Sequence, residues 1–325
     1  MIKIYLKTWL TFLLIPGLIF ISYSCKKKAP LIILTTKNIS GITQVSAESG
    51  GVIKAENWDY VIARGVCWST TENPTTSDNK SNNGNDTGSF VSKLTGLKPG
   101  IIYYLRAYAM NKADTVYGNT ISFSTQNYGT LTDIEGNTYK TITIGTQIWM
   151  AENLRTKKYN DGIAIPLVTN ETGWAELTTP GYCWYKNEEE TFKESYGALY
   201  NWYSINTGKL CPLGWHASAD EEWNSLITCL GGEGVAGGKL KETGVDYWVD
   251  PNIAASNESG FSALPGGFRY YDGKFFDFGF SGYWWASGEY SQSRAYFRLL
   301  SSEDSVVFRF DNVKKNGFSV RCVKD

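Results

Sequence analysis

Three segments rich in glycine and aromatic residues constrain the C-terminal part of this chain more than any other feature. They are Gly260–Arg269, Gly282–Ser287 and Gly317–Val323. Glycine permits tight turns and close approach of the backbone, whereas a tryptophan or tyrosine ring needs packed surroundings when it is buried. This combination is typical of short strands joined by structured loops, so we expect a folded, aromatic-rich domain.

The N-terminus has the pattern of an export signal. Lys3 and Lys7 form a short basic region, and the apolar run Trp9–Ile21 that follows is too short to span a bilayer comfortably. Small residues then precede Cys25. We therefore predict that residues 1–24 are a cleaved signal peptide.

Cys25 directly follows this run, after Ser24 and before Lys26–Lys28, and the arrangement resembles a bacterial lipoprotein box. The resemblance implies that Cys25 is lipidated and anchors the chain to a membrane, with residues 25–30 as a tether in an outer-membrane lipoprotein. Ser22 departs from the box, which usually has leucine there. An ordinary secretory peptide and an uncleaved anchor are the alternatives. All three place the rest of the chain outside the cytoplasm, on the periplasmic or the cell-surface face.

The charge balance argues against nucleic acid as a partner. The formal net charge of the whole chain is −1, and loss of Lys3 and Lys7 with the signal makes it more negative by two. Apart from Lys26–Lys28 there is no strong basic block to contact phosphates.

Residues 31–126 are predicted to form an all-β sandwich. Apolar or alternating runs are separated by Gly, Asn, Asp and Pro, with no helical pattern between them. The runs are Leu31–Thr36, Val45–Lys54, Val61–Ser69, Phe90–Leu94, Ile102–Met110 and Thr120–Ser124. Tyr103 follows the turn at Leu97–Gly100, which is the position of a tyrosine corner.

Two of these strands carry a resemblance to the immunoglobulin-like fibronectin type III modules of exported bacterial proteins. They are Ala63–Ser69 and Tyr104–Ala109. The resemblance implies a stiff spacer that holds the next domain away from the anchor.

A second domain, residues 127–325, begins where the composition changes. Thr138–Ile144 and Gln147–Met150 predict a β-hairpin, and Tyr196–Ile205 predicts a short helix. Ser218–Glu221 has the form of a capping box for a further helix that ends at Gly231. That helix would place Trp223, Leu226, Ile227 and Leu230 on one face, while Asp272-Gly273 predicts a hairpin turn and Gly317–Val323 a closing strand.

The second domain resembles the Fibrobacter succinogenes major paralogous domain family. Besides the three segments described first, the resemblance rests on Gln147–Leu154, Tyr196–Tyr203, Leu210–His216 and Gly238–Lys241. It implies an α+β fold of the C-type-lectin-like or formylglycine-generating-enzyme-like kind, in cell-envelope proteins, with no established enzymatic activity. The predicted fold is thus a multidomain chain, an all-β sandwich followed by an α+β domain.

The residues offer little for catalysis, a cofactor or a metal. His216 is the only histidine, so a structural hydrogen-bonding role is expected for it. The copper-dependent chemistry of formylglycine formation needs two closely spaced cysteines near the domain end, where only Cys322 lies. The acidic runs Glu188–Glu190 and Asp220–Glu222 are typical of solvated faces. We therefore expect no cofactor, no metal and a domain that is not an enzyme.

Five cysteines remain when Cys25 is set aside, so at least one stays unpaired: Cys67, Cys183, Cys211, Cys229 and Cys322. The lectin-like resemblance implies that the two ends of the domain meet, which favours a disulfide between Cys211 and Cys322. Cys183 with Cys211 is the alternative.

A binding role is the favoured function, with a glycan or protein as ligand. Aromatic and arginine side chains suited to such ligands cluster late in the chain: Trp284, Trp285, Tyr290, Arg294, Tyr296 and Arg298. Alternatively, Trp284, Trp285 and Tyr296 simply fill the core. The competing function is an envelope enzyme that acts on polysaccharide through carboxylates or a calcium-assisted site, for which two acids converging in a concave pocket would be the mark.

Overall fold

A computed structural model describes residues 32–55, 61–112 and 114–325. Strands make up 38% of these described residues and helices 14%, so this part of the chain is β-rich with several sheets. The predicted signal peptide, the predicted lipidation site Cys25 and the predicted tether lie outside the described residues. Within the described ranges no helix is long and apolar enough to cross a membrane.

The N-terminal part is built from two antiparallel sheets. One contains β1 (Ile32–Thr36), β2 (Ala47–Ala55) and β5 (Gly88–Leu94), in the order β1-β2-β5. The other contains β3 (Ala63–Ser69), β4 (Asn79–Lys80), β6 (Ile102–Met110), β7 (Thr115–Tyr117) and β8 (Ile121–Ser124). Its strand order is β4-β3-β6-β7, and β8 also pairs with β6. All six predicted runs are strands, and the short β4 and β7 were not predicted.

One core joins these two sheets. Inward residues such as Phe90, Leu94, Val66 and Leu105 are buried in a single cluster, as the alternation along the strands requires. The hydroxyl of Tyr103 accepts a hydrogen bond of 3.0 Å from the Lys98 amide, which confirms the predicted tyrosine-corner contact.

Beyond the sandwich, the first sheet of the C-terminal part has the strand order β14-β20-β11-β10-β9. Its members are β9 (Gly129–Thr132), β10 (Thr138–Ile144), β11 (Gln147–Met150), β14 (Trp215–Ala217) and β20 (Cys322–Lys324). The β10–β11 hairpin is confirmed, with Ile144 opposite Gln147. Because β20 lies between β14 and β11, the last strand of the chain is an interior strand of this sheet.

A second five-stranded sheet has the order β16-β15-β17-β18-β19. It contains β15 (Gly266–Arg269), β16 (Phe275–Phe278), β17 (Ser281–Glu289), β18 (Arg294–Ser301) and β19 (Phe308–Val313). The Asp272-Gly273 turn joins β15 and β16 as predicted. A two-stranded pair, β12 (Tyr182–Cys183) and β13 (Leu199–Tyr200), completes the strands.

The helices are short: α1 (Glu171–Glu176), α2 (Glu189–Tyr196), α3 (Trp202–Ile205), α4 (Asp220–Cys229) and α5 (Glu233–Leu240). The single helix predicted over Tyr196–Ile205 was wrong. Gly197, at φ +73°, ends α2, and a Cβ there would lie 2.7 Å from the Leu154 carbonyl oxygen. Asn201 then caps α3 by accepting from the Ser204 amide.

Helix α4 was predicted with the correct buried face but with its cap displaced by one residue. Ala219 occupies the N-cap, and its amide donates to Glu222 at 2.8 Å. Ser218, the predicted cap, instead accepts from the Trp223 indole at 2.9 Å. Trp223 and Leu226 are completely buried. The Ser218 hydroxyl thus satisfies the buried indole of Trp223 instead of capping the helix.

The predicted closing strand, Gly317–Val323, is regular only over Cys322–Lys324. Before it the chain makes isolated bridges from Gly317 to Arg269, from Phe318 to Tyr200 and from Ser319 to Trp284. This segment therefore crosses the interior and connects β15, β13 and β17.

The sandwich and the C-terminal part are in contact. Val45 packs against the buried cluster around Trp223, and a Cβ added to Gly260 would meet its side chain at 3.0 Å. Only residues 125–128 separate β8 from β9. A groove of about 290 Å³ runs between the two parts and is lined by Thr43 and Lys93 on one side and Ile144, Cys229 and Lys239 on the other.

Candidate functional site

Half of the residues predicted to bind a ligand lie in the interior. Trp284, Trp285 and Arg298 are 0% exposed, so the prediction that they present a ligand surface is corrected. The two tryptophans occupy opposite faces of β17 and pack into two different core clusters. Their indole nitrogens donate to Asn153 and to the Tyr200 carbonyl, both at 2.9 Å. Because β17 lies between two core clusters, side chains on both of its faces are buried, and its adjacent tryptophans are core residues.

Arg298 is buried because Asp220 neutralises it. Its Nη1 lies 2.7 Å from Oδ1 of Asp220, while Oδ2 of the same carboxylate accepts from Arg309 at 2.9 Å. Arg309 also lies 3.8 Å above the Tyr296 ring. These contacts hold the first turn of α4 against β18 and β19, which is a structural role.

The remaining predicted residues form a small surface on the β17–β18 hairpin and β18. Tyr290 is 56% exposed and packs edge-on against Tyr296 at 5.5 Å. Arg294 pairs with Asp311 at 2.6 Å. Arg294 and, on the neighbouring strand β19, Arg309 both already have carboxylate partners.

Asn153 is where the recognisable motifs of the second domain meet. Its amide oxygen accepts from Trp284 and from Arg321, both at 2.9 Å. Its amide nitrogen donates to the Tyr196 carbonyl at 2.8 Å and to Ser319 at 3.2 Å. One buried side chain therefore connects four distant motifs, with all of its hydrogen-bonding groups used.

Arg321 extends this network as a buried cation. Its guanidinium donates to the carbonyls of Met150, Phe261 and Ser262 and stacks 4.0 Å above the Phe261 ring. No carboxylate in the described part of the chain lies within ion-pair distance of it. Burial lowers the pKa of Arg321 to about 9, against the opposing effect of Glu152. The guanidinium is therefore charged at neutral pH.

His216 forms a clasp at the surface. Its Nε2 lies 2.8 Å from Glu222 and its Nδ1 lies 2.6 Å from Asp325. Burial lowers the pKa of His216, but the hydrogen bonds to Asp325 and Glu222 outweigh this and raise it above 6.5. Both ring nitrogens therefore donate to carboxylates in the imidazolium form, and the histidine joins α4 to the end of β20.

Cys211 and Cys322 are joined by a disulfide, the pairing that the lectin-like resemblance favoured over Cys183 with Cys211. Cys67 and Cys183 are free and buried, whereas Cys229 is free and exposed. In the described part of the chain, no three His, Cys, Asp or Glu side chains converge to hold a metal ion.

A cleft of about 330 Å³ lies beside the Asn153 network, and we refer to it as the Glu152 cleft. Its lining combines aromatic rings, hydroxyls and charged groups: Tyr128, Lys140, Ala151, Glu152, Glu194, Ser195, Glu242, Tyr247, Ser262 and Leu264. Ala151 and Glu152 belong to the Gln147–Leu154 motif, and Ser262 and Leu264 to the Gly260–Arg269 motif. The hydrogen bonds of Asn153 and Arg321 fix the backbone of both motifs directly behind the cleft.

Two of the cleft carboxylates share one cation. Arg155 lies 3.5 Å from Glu152 and 3.6 Å from Glu194. Lys140 lies 5.6 Å from the centre of the Tyr128 ring, and its backbone amide donates to Glu152 at 3.4 Å. This side of the cleft is therefore close to electrically balanced.

The third carboxylate is held differently. Oε2 of Glu242 accepts from the Asn257 amide at 2.7 Å, and the same amide group donates to Ser262 at 2.8 Å. Among the described residues, no cation lies within ion-pair distance of Glu242. Tyr247, on the same loop, is 41% exposed and packs against Tyr196 at 6.2 Å. A fixed carboxylate and an exposed ring thus line the same cleft.

Sequence reasoning missed this cleft because its residues come from six separate segments. Tyr128, Glu242 and Tyr247 lie in loops with no periodicity. The available signal was Glu152, a charged residue inside the apolar Gln147–Leu154 motif that hydrophobic packing does not require there.

Comparison with known proteins identifies the C-terminal part. The model of the Fibrobacter succinogenes major domain family matches residues 142–324, more than half of the chain. A comparison with curated proteins found no match. Among solved structures, the chain is similar to two structures of the sensor domain of the anti-sigma factor RsgI4 in Pseudobacteroides cellulosolvens. The first is 14% identical in sequence, and the match covers 30% of this chain and 76% of the sensor-domain chain. The second is 15% identical, and the match covers 30% of this chain and 95% of the sensor-domain chain. The TM-score is 0.24 for both.

A TM-score this low supports no conclusion about fold or function. The family match, in contrast, spans all the motifs from the β10–β11 hairpin to the closing strand and includes both sides of the disulfide. The protein belongs to the Fibrobacter succinogenes major domain family.

Proposed function

We propose that this protein is a cell-envelope lipoprotein whose C-terminal domain binds a saccharide in the Glu152 cleft without transforming it. The observation that carries the proposal is the lining of the cleft. Saccharides present apolar C–H faces and many hydroxyls, and they are bound by aromatic rings together with carboxylates and hydroxyl groups. Tyr247 and Tyr128 supply the rings, while Glu152, Glu194 and Ser195 supply polar partners.

The proposed architecture places this domain on a spacer. The two-sheet sandwich and the Tyr103 hydroxyl contact support a fibronectin type III-like module, and the interior position of β20 in its sheet supports a C-type-lectin-like or formylglycine-generating-enzyme-like domain. The N-terminal pattern ending at Cys25 supports an outer-membrane anchor. In this arrangement the sandwich holds the cleft away from the membrane.

A glycan array with the chain from residue 26 onward tests the binding proposal. We expect Tyr247→Ala to weaken binding of the best ligand by about 1–3 kcal/mol, the usual range for truncating an aromatic anchor. Tyr290→Ala is the matched control, because Tyr290 is also an exposed tyrosine but lies outside the cleft. If Tyr290→Ala weakens binding and Tyr247→Ala does not, the ligand lies on the C-terminal hairpin instead.

One observation favours a second candidate function, hydrolysis of an envelope polysaccharide. Glu152 and Glu194 line the same concave site, which is the arrangement a carboxylate-based hydrolase requires. Because both are within 3.6 Å of Arg155, we favour their role as fixed hydrogen-bond acceptors. Polysaccharide turnover by the purified protein that is lost in Glu152→Gln, with the fold intact, would instead make it an enzyme.

A further inference from the structure

The Glu152 cleft has one carboxylate that the protein leaves without a counter-ion. Glu152 and Glu194 have Arg155, but Glu242 has only neutral partners, namely Asn257 and Thr243. A carboxylate without a cation in a partly enclosed site attracts a positively charged ligand group more strongly than a solvated one does.

Several contacts fix the Glu242 carboxylate in place. The Glu242 amide donates to the Ala263 carbonyl, and Asn257 connects its side chain to Ser262. Oε1 accepts from the Thr243 amide at 3.2 Å and from the Thr243 hydroxyl at 3.5 Å, and Oε2 accepts from Asn257. The remaining lone pair of Oε2 is therefore available to a ligand donor. A fixed acceptor loses little conformational entropy on binding and so discriminates between ligands better than a mobile one.

The aromatic residues of the cleft also suit a cation. Tyr128 already has an ammonium group over its ring, that of Lys140 at 5.6 Å. Tyr247 presents a ring with 41% of the residue exposed and no cation over it, at least among the residues that the structure describes. An ammonium group placed between Tyr247 and Glu242 would combine a cation–π contact with a charge-assisted hydrogen bond.

From this pairing we infer that the Glu152 cleft selects a saccharide bearing a protonated primary amine, an amino sugar, with Glu242 as the residue that recognises the amine. The inference rests on the proposed saccharide binding and adds the class of sugar. The Ser195 hydroxyl and the carboxylates of Glu152 and Glu194 receive the sugar hydroxyls, which favours an amino sugar over a lysine side chain, whose stem is apolar.

The experiment compares three matched monosaccharides with the chain from residue 26 onward: glucosamine, glucose and glucuronic acid. Binding is followed by NMR titration at pH 6.5, where the amine of glucosamine is mostly protonated. We expect glucosamine to bind about five-fold tighter than glucose, since an exposed charged contact of this kind contributes on the order of 1 kcal/mol. Glucuronic acid should bind weakest, and added salt should reduce the preference.

Glu242→Gln should abolish the preference, so that glucosamine binds no more tightly than glucose. Glu190→Gln is the matched control, because it removes an exposed glutamate of α2 outside the cleft, and it should keep the preference. Equal binding of all three sugars to the unmodified protein overturns the inference but leaves saccharide binding intact. Absence of binding by all three argues against both. Nα-acetyl-lysine amide that binds as tightly as glucosamine would show that the cleft recognises a peptide amine, and would also overturn the inference.

Discussion

The guanidinium Nε of Arg321 donates a hydrogen bond of 2.9 Å to Oδ1 of Asn153, a residue 168 positions earlier in the sequence. Both side chains are buried, and the same oxygen also accepts from the Trp284 indole. One amide oxygen thus joins the β10–β11 hairpin region, the centre of β17 and the last buried segment of the chain. Such a contact can form only when the domain is fully assembled.

Asn153→Ala should therefore destabilise the C-terminal domain strongly. The substitution leaves the buried Trp284 indole and Arg321 Nε without this acceptor, and we expect a loss of roughly 2–4 kcal/mol in the free energy of unfolding. Chemical denaturation followed by tryptophan fluorescence measures it. Asn206→Ala, at an exposed asparagine, is the control and should change stability by less than about 0.5 kcal/mol. A similar small effect for Asn153→Ala would contradict the structural role given to this network.

The disulfide between Cys211 and Cys322 should stabilise the same domain. It closes a segment with a sequence separation of 111, and the chain-entropy model predicts a loss of about 4–5 kcal/mol when the bond is removed. The double variant Cys211→Ser, Cys322→Ser should show this loss in denaturation. Cys229→Ser, at an exposed free thiol, should not. Non-reducing peptide mapping that finds Cys183 bonded to Cys211 would refute the pairing.

The His216 clasp predicts a pH-dependent contribution to stability. The pKa of His216 is raised above 6.5 in the folded protein, so its contribution is fully present below about pH 6.5 and is lost as the pH rises through the folded pKa. Because the side chain is 43% exposed, the contribution should stay below about 1 kcal/mol.

Denaturation of the wild type and of His216→Gln at pH 5.5 and pH 8.5 tests this. The wild type should be the more stable of the two at pH 5.5, and the difference should shrink at pH 8.5. A difference that grows with pH would contradict the protonated clasp. Ligand binding should survive His216→Gln, since His216 does not line the Glu152 cleft.

The two parts of the chain should fold independently, with the boundary near residues 127–129. Residues 125–128 lie between β8 and β9, and each part has its own buried cluster. Limited proteolysis should leave a stable fragment that begins near this boundary. The contact of Val45 with the second cluster is the main opposing feature. If fragments 31–126 and 127–325 were both insoluble, and the joined chain unfolded in one transition, the two parts would be a single folding unit.

Cys25 is predicted to carry the membrane anchor, on the pattern of the apolar run that ends at Ser24-Cys25. Metabolic labelling with a palmitate analogue should label the wild type and should not label Cys25→Ala, which should also lose membrane partition. Cys229→Ser serves as a control for unspecific thiol labelling. Retention of label and of membrane partition in Cys25→Ala would rule out the lipoprotein assignment.

Local patterns were enough for the elements whose partners are close in sequence. Alternation located the six longer strands of the sandwich, the turn at Gly145 placed the β10–β11 hairpin, and apolar spacing gave the buried face of α4. Where a long-range contact decided the outcome, the sequence was misleading. Ser218 was expected to cap α4, but it bonds the Trp223 indole, and the predicted helix over Tyr196–Ile205 was interrupted at Gly197, beside Asn153.

By itself the sequence determined the family of the C-terminal part and which segments carry its motifs, because these depend on residue identity and spacing. It did not determine whether the side chain of a motif residue faces the core or the solvent. Trp284 and Tyr290 look alike as candidate ligand contacts, yet one is fully buried and the other is 56% exposed. Only the tertiary structure decided this, and only it brought Glu152, Glu242 and Tyr247 to one cleft, because a binding site made from distant loops exists only after the long-range contacts that position them have formed.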